Sequence, residues 1–346
     1  MPSIPRAVGG VLRSIVRPLD AGLIASRPIG AGGRYRPLYP LNVVDRMVNG
    51  ERTLAKAVDE KIVMVTGASS GIGEAAARQV AAAGGTVLLV ARGREKLVAL
   101  QEEIAADGGV AHVHPCDLTD MDAIDVLAEE VLEQHGQVDI LVNNAGRSIR
   151  RSVELSYNRF HDYERTMQLN YFAPVRLILR FLPGMRERGS GQIVNMSSAG
   201  VQTRTPRFGA YIASKAALDT LCDALQAEVQ DDGVRFTTIY MALVRTPMIA
   251  PTTIYDRFPT LTPEQAGETV ATAITFRPRR LSPPFGSVAS VADALSPTIM
   301  DAVRNQGFKL FPDSKSARGK SAEKETDAPA SAVGRAFAQV TRGVHW

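Results

Sequence analysis

Six short stretches of this sequence are apolar almost without interruption: KIVMVT (61–66), TVLLVA (86–91), AHVHPC (111–116), DILVNNA (139–145), GQIVNMS (191–197) and RFTTIYM (235–241). Runs that lack a polar alternate predict parallel strands buried on both faces. Between them the apolar positions recur at helical spacing, in GEAAARQVAAAG (73–84), REKLVALQEEIAADG (94–108), DAIDVLAEEVLEQHG (122–136), a long segment from about Tyr157 to Arg188, and another from about Tyr211 to Gln230. Parallel strands need crossover helices of one hand, so this alternation predicts an α/β fold built on a doubly wound parallel sheet, over residues 59–282. Ligands of such sheets sit above the strand C-termini.

The flanks read differently. Residues 1–58 form a basic arm rich in Pro and Gly, in which LNVVDRMVNGERTLAKAVDE (41–60) is suited to one helix. Residues 283–346 predict a C-terminal helical extension, apolar along one side in FGSVASVADALSPTIMDAVRNQGFKLF (285–311), followed by a flexible polar tail at 314–332. That apolar side suits a roof for a lipid channel, a membrane contact or a subunit contact.

Composition narrows the classes. Apolar residues at 45% and charged residues at 22% support a globular core and exclude a disordered chain. The net charge of +4 arises entirely in residues 1–60, which hold nine basic and five acidic residues, so no nucleic-acid partner is expected. Two cysteines, Cys116 and Cys222, give neither a disulfide framework nor metal-ligand spacing, so no metal is expected and a reducing compartment is. No run approaches the roughly 20 apolar residues of a membrane span. The expected location is cytoplasmic, with peripheral membrane contact through residues 1–44, which carry six arginines and one acid, Asp20.

The first strand runs into TGASSGIG, Thr66 to Gly73, and then directly into a helix. Gly67, Gly71 and Gly73 allow close backbone approach, and with Ser69, Ser70 and Ile72 they make a cradle for a dinucleotide pyrophosphate facing the helix dipole. At the end of the second strand, where a carboxylate would bind a ribose 2'-hydroxyl, stand uncharged Ala91 and then Arg92, which favours NADP(H) over NAD, with Arg94 and Lys96 nearby. Asp117 and Leu118, after the third strand, are placed to reach the adenine, though Asp117 also suits an N-cap in CDLTD.

In YIASK, Tyr211 and Lys215 share one helix face. A phenol of ordinary pKa about 10 is a poor acid-base group, and an adjacent ammonium is expected to bring it toward the working range. Ser198 lies thirteen residues upstream at a strand end, suited to hold a substrate oxygen beside the Tyr211 hydroxyl.

Together TGASSGIG, NNAG (143–146), Asn170, Ser198 and Tyr211/Lys215 resemble the short-chain dehydrogenase/reductase superfamily over about Lys61 to Met248. The resemblance implies a Rossmann-type sheet, a homo-oligomer, catalysis by Asn170, Ser198, Tyr211 and Lys215, and cofactor contacts from Tyr211 and Lys215 as well. It also implies that Asn170 holds a proton-relaying water, that Asn144, Ala145 and Gly146 line the nicotinamide ribose, and that Val244 and Thr246 meet the carboxamide. One departure stands out: MALVRTPM (241–248) has Met241 and Ala242 where the family has Pro-Gly.

Three longer stretches, at 145–172, 201–219 and 241–266, resemble bacterial fatty acyl-CoA reductases of this superfamily. That likeness implies NADPH-dependent reduction of a long-chain acyl-CoA to the fatty aldehyde, with Tyr211 as proton donor. Arg147, Arg150 and Arg151, just past the fourth strand, then suit substrate phosphates, or else form a solvated basic turn. The alternative is an NADPH-dependent ketone or hydroxyl oxidoreductase acting on a lipid, oxo-fatty acid or steroid-like substrate. A non-catalytic dinucleotide-sensing scaffold is disfavoured by the intact tetrad, and neither cysteine is placed as a catalytic thiol.

Overall fold

The computed structural model describes residues 52–250 and 260–311, together with 25–26, 37–38, residue 313 and 315–318. Seven strands form one parallel sheet: β1 (Ile62–Thr66), β2 (Thr86–Ala91), β3 (Val110–Pro115), β4 (Ile140–Asn143), β5 (Gly191–Ser198), β6 (Val234–Met241) and β7 (Arg280–Leu281). Their order is β3-β2-β1-β4-β5-β6-β7, so the direction of winding reverses between β1 and β4. That reversal opens a crevice above the strand C-termini, the place where doubly wound sheets bind ligands.

Helices cover both faces. Helices α2 (Gly71–Ala82), α3 (Arg94–Ala106) and α9 (Pro263–Phe276) close one hydrophobic layer around Val63, Val65, Leu89 and Val194. Helices α4 (Met121–His135), α6 (Ala173–Glu187) and α8 (Gly209–Glu228) close the other around Met64, Leu88, Leu141 and Phe236. Alternate strand residues thus serve opposite layers, as a sheet buried on both faces requires.

All six strands expected from the apolar runs are present. The seventh has two residues, too short to leave a pattern, and α9 follows a capping box in which Thr262 and Gln265 satisfy each other's backbone N–H groups. The long helix expected from Tyr157 to Arg188 is not continuous. Helix α5 (Phe160–Met167) passes through a π turn (Gln168–Phe172) into α6. Pro174 is the cause: it has no N–H to give to the Asn170 carbonyl four residues earlier, and the Ala173 N–H bonds Gln168 O instead.

Of the segment 41–60, suited to one helix, the described part holds α1 (Leu54–Val58), started by the Thr53 cap, with Val58 fully buried against the layer of α2 and α9; positions 41–51 lie outside the described residues. Residues 25–26 and 37–38 pair antiparallel, and the remainder of the basic arm lies outside the described residues. The C-terminal extension is helical, as α10 (Pro284–Leu295) and α11 (Pro297–Leu310). Helix α10 packs on a short helix, α7 (Ala199–Thr203), that begins directly after β5. Val288, Val291, Leu295, Ile299 and Val303 are exposed along α10 and α11. Of the tail, Lys315–Arg318 is one helical turn with Ala317 buried, and 319–332 lie outside the described residues. Among the described residues no helix is long and apolar enough to cross a membrane.

Candidate active site

The glycine turn after β1 is built for close approach. Gly67 and Gly71 hold φ of +68° and +60°, backbone that favours glycine, and a Cβ on Gly73 would stand 2.3 Å from the Gly67 carbonyl oxygen. Ser70 starts α2 without spending its side chain on a cap, so the first N–H groups of the helix face the crevice with its positive dipole end. A dinucleotide pyrophosphate fits this cradle on those grounds. Ser69 and Ile72 belong to the same turn. Thr246 closes over it, its methyl 3.0 Å from the Cβ position of Gly71, while Val244 is bridged to Leu261 and keeps that loop against the fold. Despite Met241 and Ala242, Thr246 therefore reaches the cofactor crevice.

Asn144 links β4 to the glycine turn. Its amide donates to Thr66 O at 2.9 Å, and the Thr66 hydroxyl in turn accepts the N–H groups of Asn144 and Ala145, each at 3.0 Å. Arg92 and Arg94 are exposed just past β2, with Lys96 beside them. The Asp117 carboxylate accepts from Thr119 N and Thr119 Oγ1, which holds it below the usual carboxylate range, and Arg92 and Arg147 add to that. Asp117 is not the helix cap; Asp120 caps α4. Leu118 is buried.

At the end of β5, Ser198 Oγ accepts Gly200 N–H at 3.1 Å, leaving its own proton to give. The Tyr211 phenol on α8 lies beside it, near enough for the Ser198 hydroxyl to favour the phenolate. Lys215 lies one turn further along α8, nearly buried, with its Nζ 3.4 Å from the Cβ position of Gly146. Gly146 thus leaves room between β4 and α8. The side chain of Asn170, in the π turn, is anchored on three sides: its oxygen accepts Arg147 N–H at 2.8 Å, and its amide donates to Arg147 O and Ser214 Oγ, both at 2.9 Å. The main-chain carbonyl of Asn170 is deprived of its α-helical donor by Pro174, which suits it to accept from a water.

The electrostatics correct one expectation. Burial raises the Tyr211 phenol above its ordinary value, while the Ser198 hydrogen bond opposes the rise. Burial also pushes Lys215 down to about 8, against the pull of the nearby Asp219 carboxylate. Desolvation penalises both charged forms; it outweighs the Ser198 hydroxyl at Tyr211 and the Asp219 charge at Lys215.

The three arginines divide. Arg150 donates to Phe311 O at 3.2 Å, Arg151 donates to Ala317 O and pairs with Asp162 at 3.2 Å, and Ser152 N donates to Asp313 at 3.1 Å. Arg207 joins them, 3.2 Å from Asp313 and 3.8 Å over the Phe308 ring. Arg150 and Arg151 latch the C-terminal segment to the loop after β4 instead of forming a free or solvated cationic rim. Arg147 has its backbone pinned by Asn170. The thiols are inert: burial pushes Cys116 up to about 11 and Cys222 up to about 12. Among the described residues no group of three metal-ligating side chains converges.

Asp219 was not legible as a site residue. It lies one turn beyond Lys215, buried, and accepts from Ser197 Oγ at 2.8 Å. In the sequence it reads as a polar position of an amphipathic helix, and only its four-residue spacing from Lys215 gave a signal.

Residues 61–254 match the profile of the short chain dehydrogenases. An oxidoreductase of Mycobacterium tuberculosis is 58% identical over 98% of this chain and 99% of its own. A fatty acyl-CoA reductase of Acinetobacter baylyi is 49% identical over 86% of this chain and 98% of its own. Among solved structures, a metagenomic short-chain oxidoreductase in complex with NADP is 33% identical, covering 63% of this chain and 92% of that one at a TM-score of 0.55.

Proposed function

Since this chain belongs to the short-chain dehydrogenase/reductase family, we propose that it is an NADPH-dependent oxidoreductase that reduces a long-chain fatty acyl-CoA to the fatty aldehyde. One observation carries the choice of substrate: the 49% identity to the Acinetobacter baylyi fatty acyl-CoA reductase, over 296 residues, runs well past the family core at 61–254.

In this reading Gly67, Ser69, Ser70, Gly71, Ile72 and Gly73 hold the pyrophosphate, and Arg92 meets a 2'-phosphate. Asp117 and Leu118 border the adenine, and Val244 and Thr246 close on the nicotinamide side. NADPH, when bound, supplies the hydride. Ser198 and Tyr211 hold the thioester oxygen and stabilise the negative charge that forms there when the carbonyl carbon is reduced. Tyr211 gives its proton to that oxygen, forming a hemithioacetal. Lys215 compensates the phenolate left behind, and Asn170 keeps Gly146 and Arg147 in place around it. When the carbon–sulfur bond breaks, the hydroxyl proton returns to Tyr211 and the sulfur leaves as CoA thiol after gaining a proton from solvent. Arg147 is the cation left beside the rim for a substrate phosphate.

Trapping the product tests the proposal. Purified enzyme with palmitoyl-CoA and NADPH should yield hexadecanal as its hydrazone. Absence of aldehyde and alcohol, with NADPH consumed on ketones, would move the function to a ketone reductase using the same four residues.

A further inference from the structure

We propose that Asp219 is a positioning residue for Lys215, a buried carboxylate held by Ser197 that keeps the Lys215 ammonium charged in the reacting site. This inference rests on the assignment of Lys215 to that site.

The placement is specific. Tyr211, Lys215 and Asp219 follow one another at four-residue spacing, so they share one face of α8. Asp219 is 7% exposed. A carboxylate at that depth is costly unless hydrogen bonds and an opposite charge compensate it. Ser197 supplies the hydrogen bond to Oδ2, while Oδ1 has no hydrogen-bond partner. Adjacent residues at the end of β5 thus serve successive turns of α8: Ser198 the phenol, Ser197 the carboxylate.

The other charges around Asp219 leave Lys215 as its main counterion. Tyr211, Cys222 and Asp223 face it from its own helix, Tyr240 from β6 and Arg280 from β7. Arg280 is engaged with Asp223 at 2.7 Å, as is Arg279. The coupling to Lys215 is Coulombic, without direct contact, and it runs both ways: each charge favours the other. Burial takes Asp219 up to about 6 and Lys215 down to about 8, so between those values the pair is ionised on both sides. Remove the carboxylate charge and the opposition to the desolvation of Lys215 is lost, so its titration moves below 8.

Asp219→Asn tests this, because the amide keeps the shape and an acceptor for Ser197 while removing the charge. The readout is the Cε resonance of Lys215 in the full chain labelled with [13C]lysine, identified by its loss in Lys215→Arg. The expected result is a midpoint lower by about one pH unit in Asp219→Asn and restored toward the original value in Asp219→Glu. The alkaline limb of kcat should move by the same amount on whichever carbonyl the enzyme turns over, with KM for NADPH unchanged. Equal midpoints in the parent and Asp219→Asn would overturn the proposal. Should Asp219→Asn not fold, the parent protein itself decides: a second inflection of the Lys215 resonance near pH 6 reports Asp219, and its absence overturns the proposal. The titration uses no substrate, so failure of acyl-CoA turnover and failure of this inference are separate outcomes.

Discussion

The Gly67 carbonyl oxygen lies 2.3 Å from where a Cβ on Gly73 would stand, so the first and third glycines of the turn are in backbone contact. Gly73→Ala must push β1 and α2 apart. The expected cost is about 1–3 kcal/mol of stability, with NADPH affinity reduced at least tenfold because the cradle widens. Thermal unfolding and fluorescence titration with NADPH measure the two effects; unchanged affinity would show that the turn is not the pyrophosphate site.

Arg92→Asp should raise KM for NADPH far more than KM for NADH, since a 2'-phosphate would then face a carboxylate. A preference change of ten- to a hundredfold, on the order of 1.4–3 kcal/mol, is expected from losing one charge-assisted contact. Equal effects on both cofactors would remove Arg92 from that role.

Tyr211→Phe removes the proton donor and leaves the glycine turn untouched. Turnover should fall by at least a thousandfold while the dissociation constant for NADPH changes less than threefold. Substantial retained turnover would contradict the assignment of the phenol.

His114 gives a pH dependence of stability. It is buried at the sheet edge, its Nε2 3.3 Å from that of His135, and burial with the neighbouring charges of His135 and His112 takes it down to about 4. The unfolded chain, with an ordinary value of about 6.5, takes up the proton first as pH falls. Stability is therefore fully present above about 6.5 and is lost as pH falls toward 4, by about 3 kcal/mol at most. In urea unfolding at pH 7.5 and 4.5, His114→Gln should show a smaller loss than the parent protein. Parallel losses would mean that His114 does not govern the acid limb.

Much of this organisation was legible in the sequence, for identifiable reasons. The central strands β1, β2 and β4 announced themselves because strands covered on both faces have no polar alternate, and the glycine turn because φ near +60° at Gly67 and Gly71 needs that residue type. The break at Asn170 was hidden, since apolar spacing continues through it and only Pro174 hinted at a lost donor. The arginines after β4 misled because charge is read without its partner: the backbone carbonyls that Arg150 and Arg151 bond, at Phe311 and Ala317, lie more than 150 residues later. Asp219 left only its spacing from Lys215 as a trace, because its meaning depends on depth and on Ser197 across the layer.

The central claim is thioester reduction, and coupled stoichiometry tests it most directly. Purified enzyme, NADPH and a limiting amount of long-chain acyl-CoA are followed in parallel by the loss of nicotinamide absorbance and by the release of free thiol. One NADPH consumed per thiol released, with a fatty aldehyde as product, is the predicted result. NADPH consumption on ketones without any thiol release from acyl-CoA would contradict it.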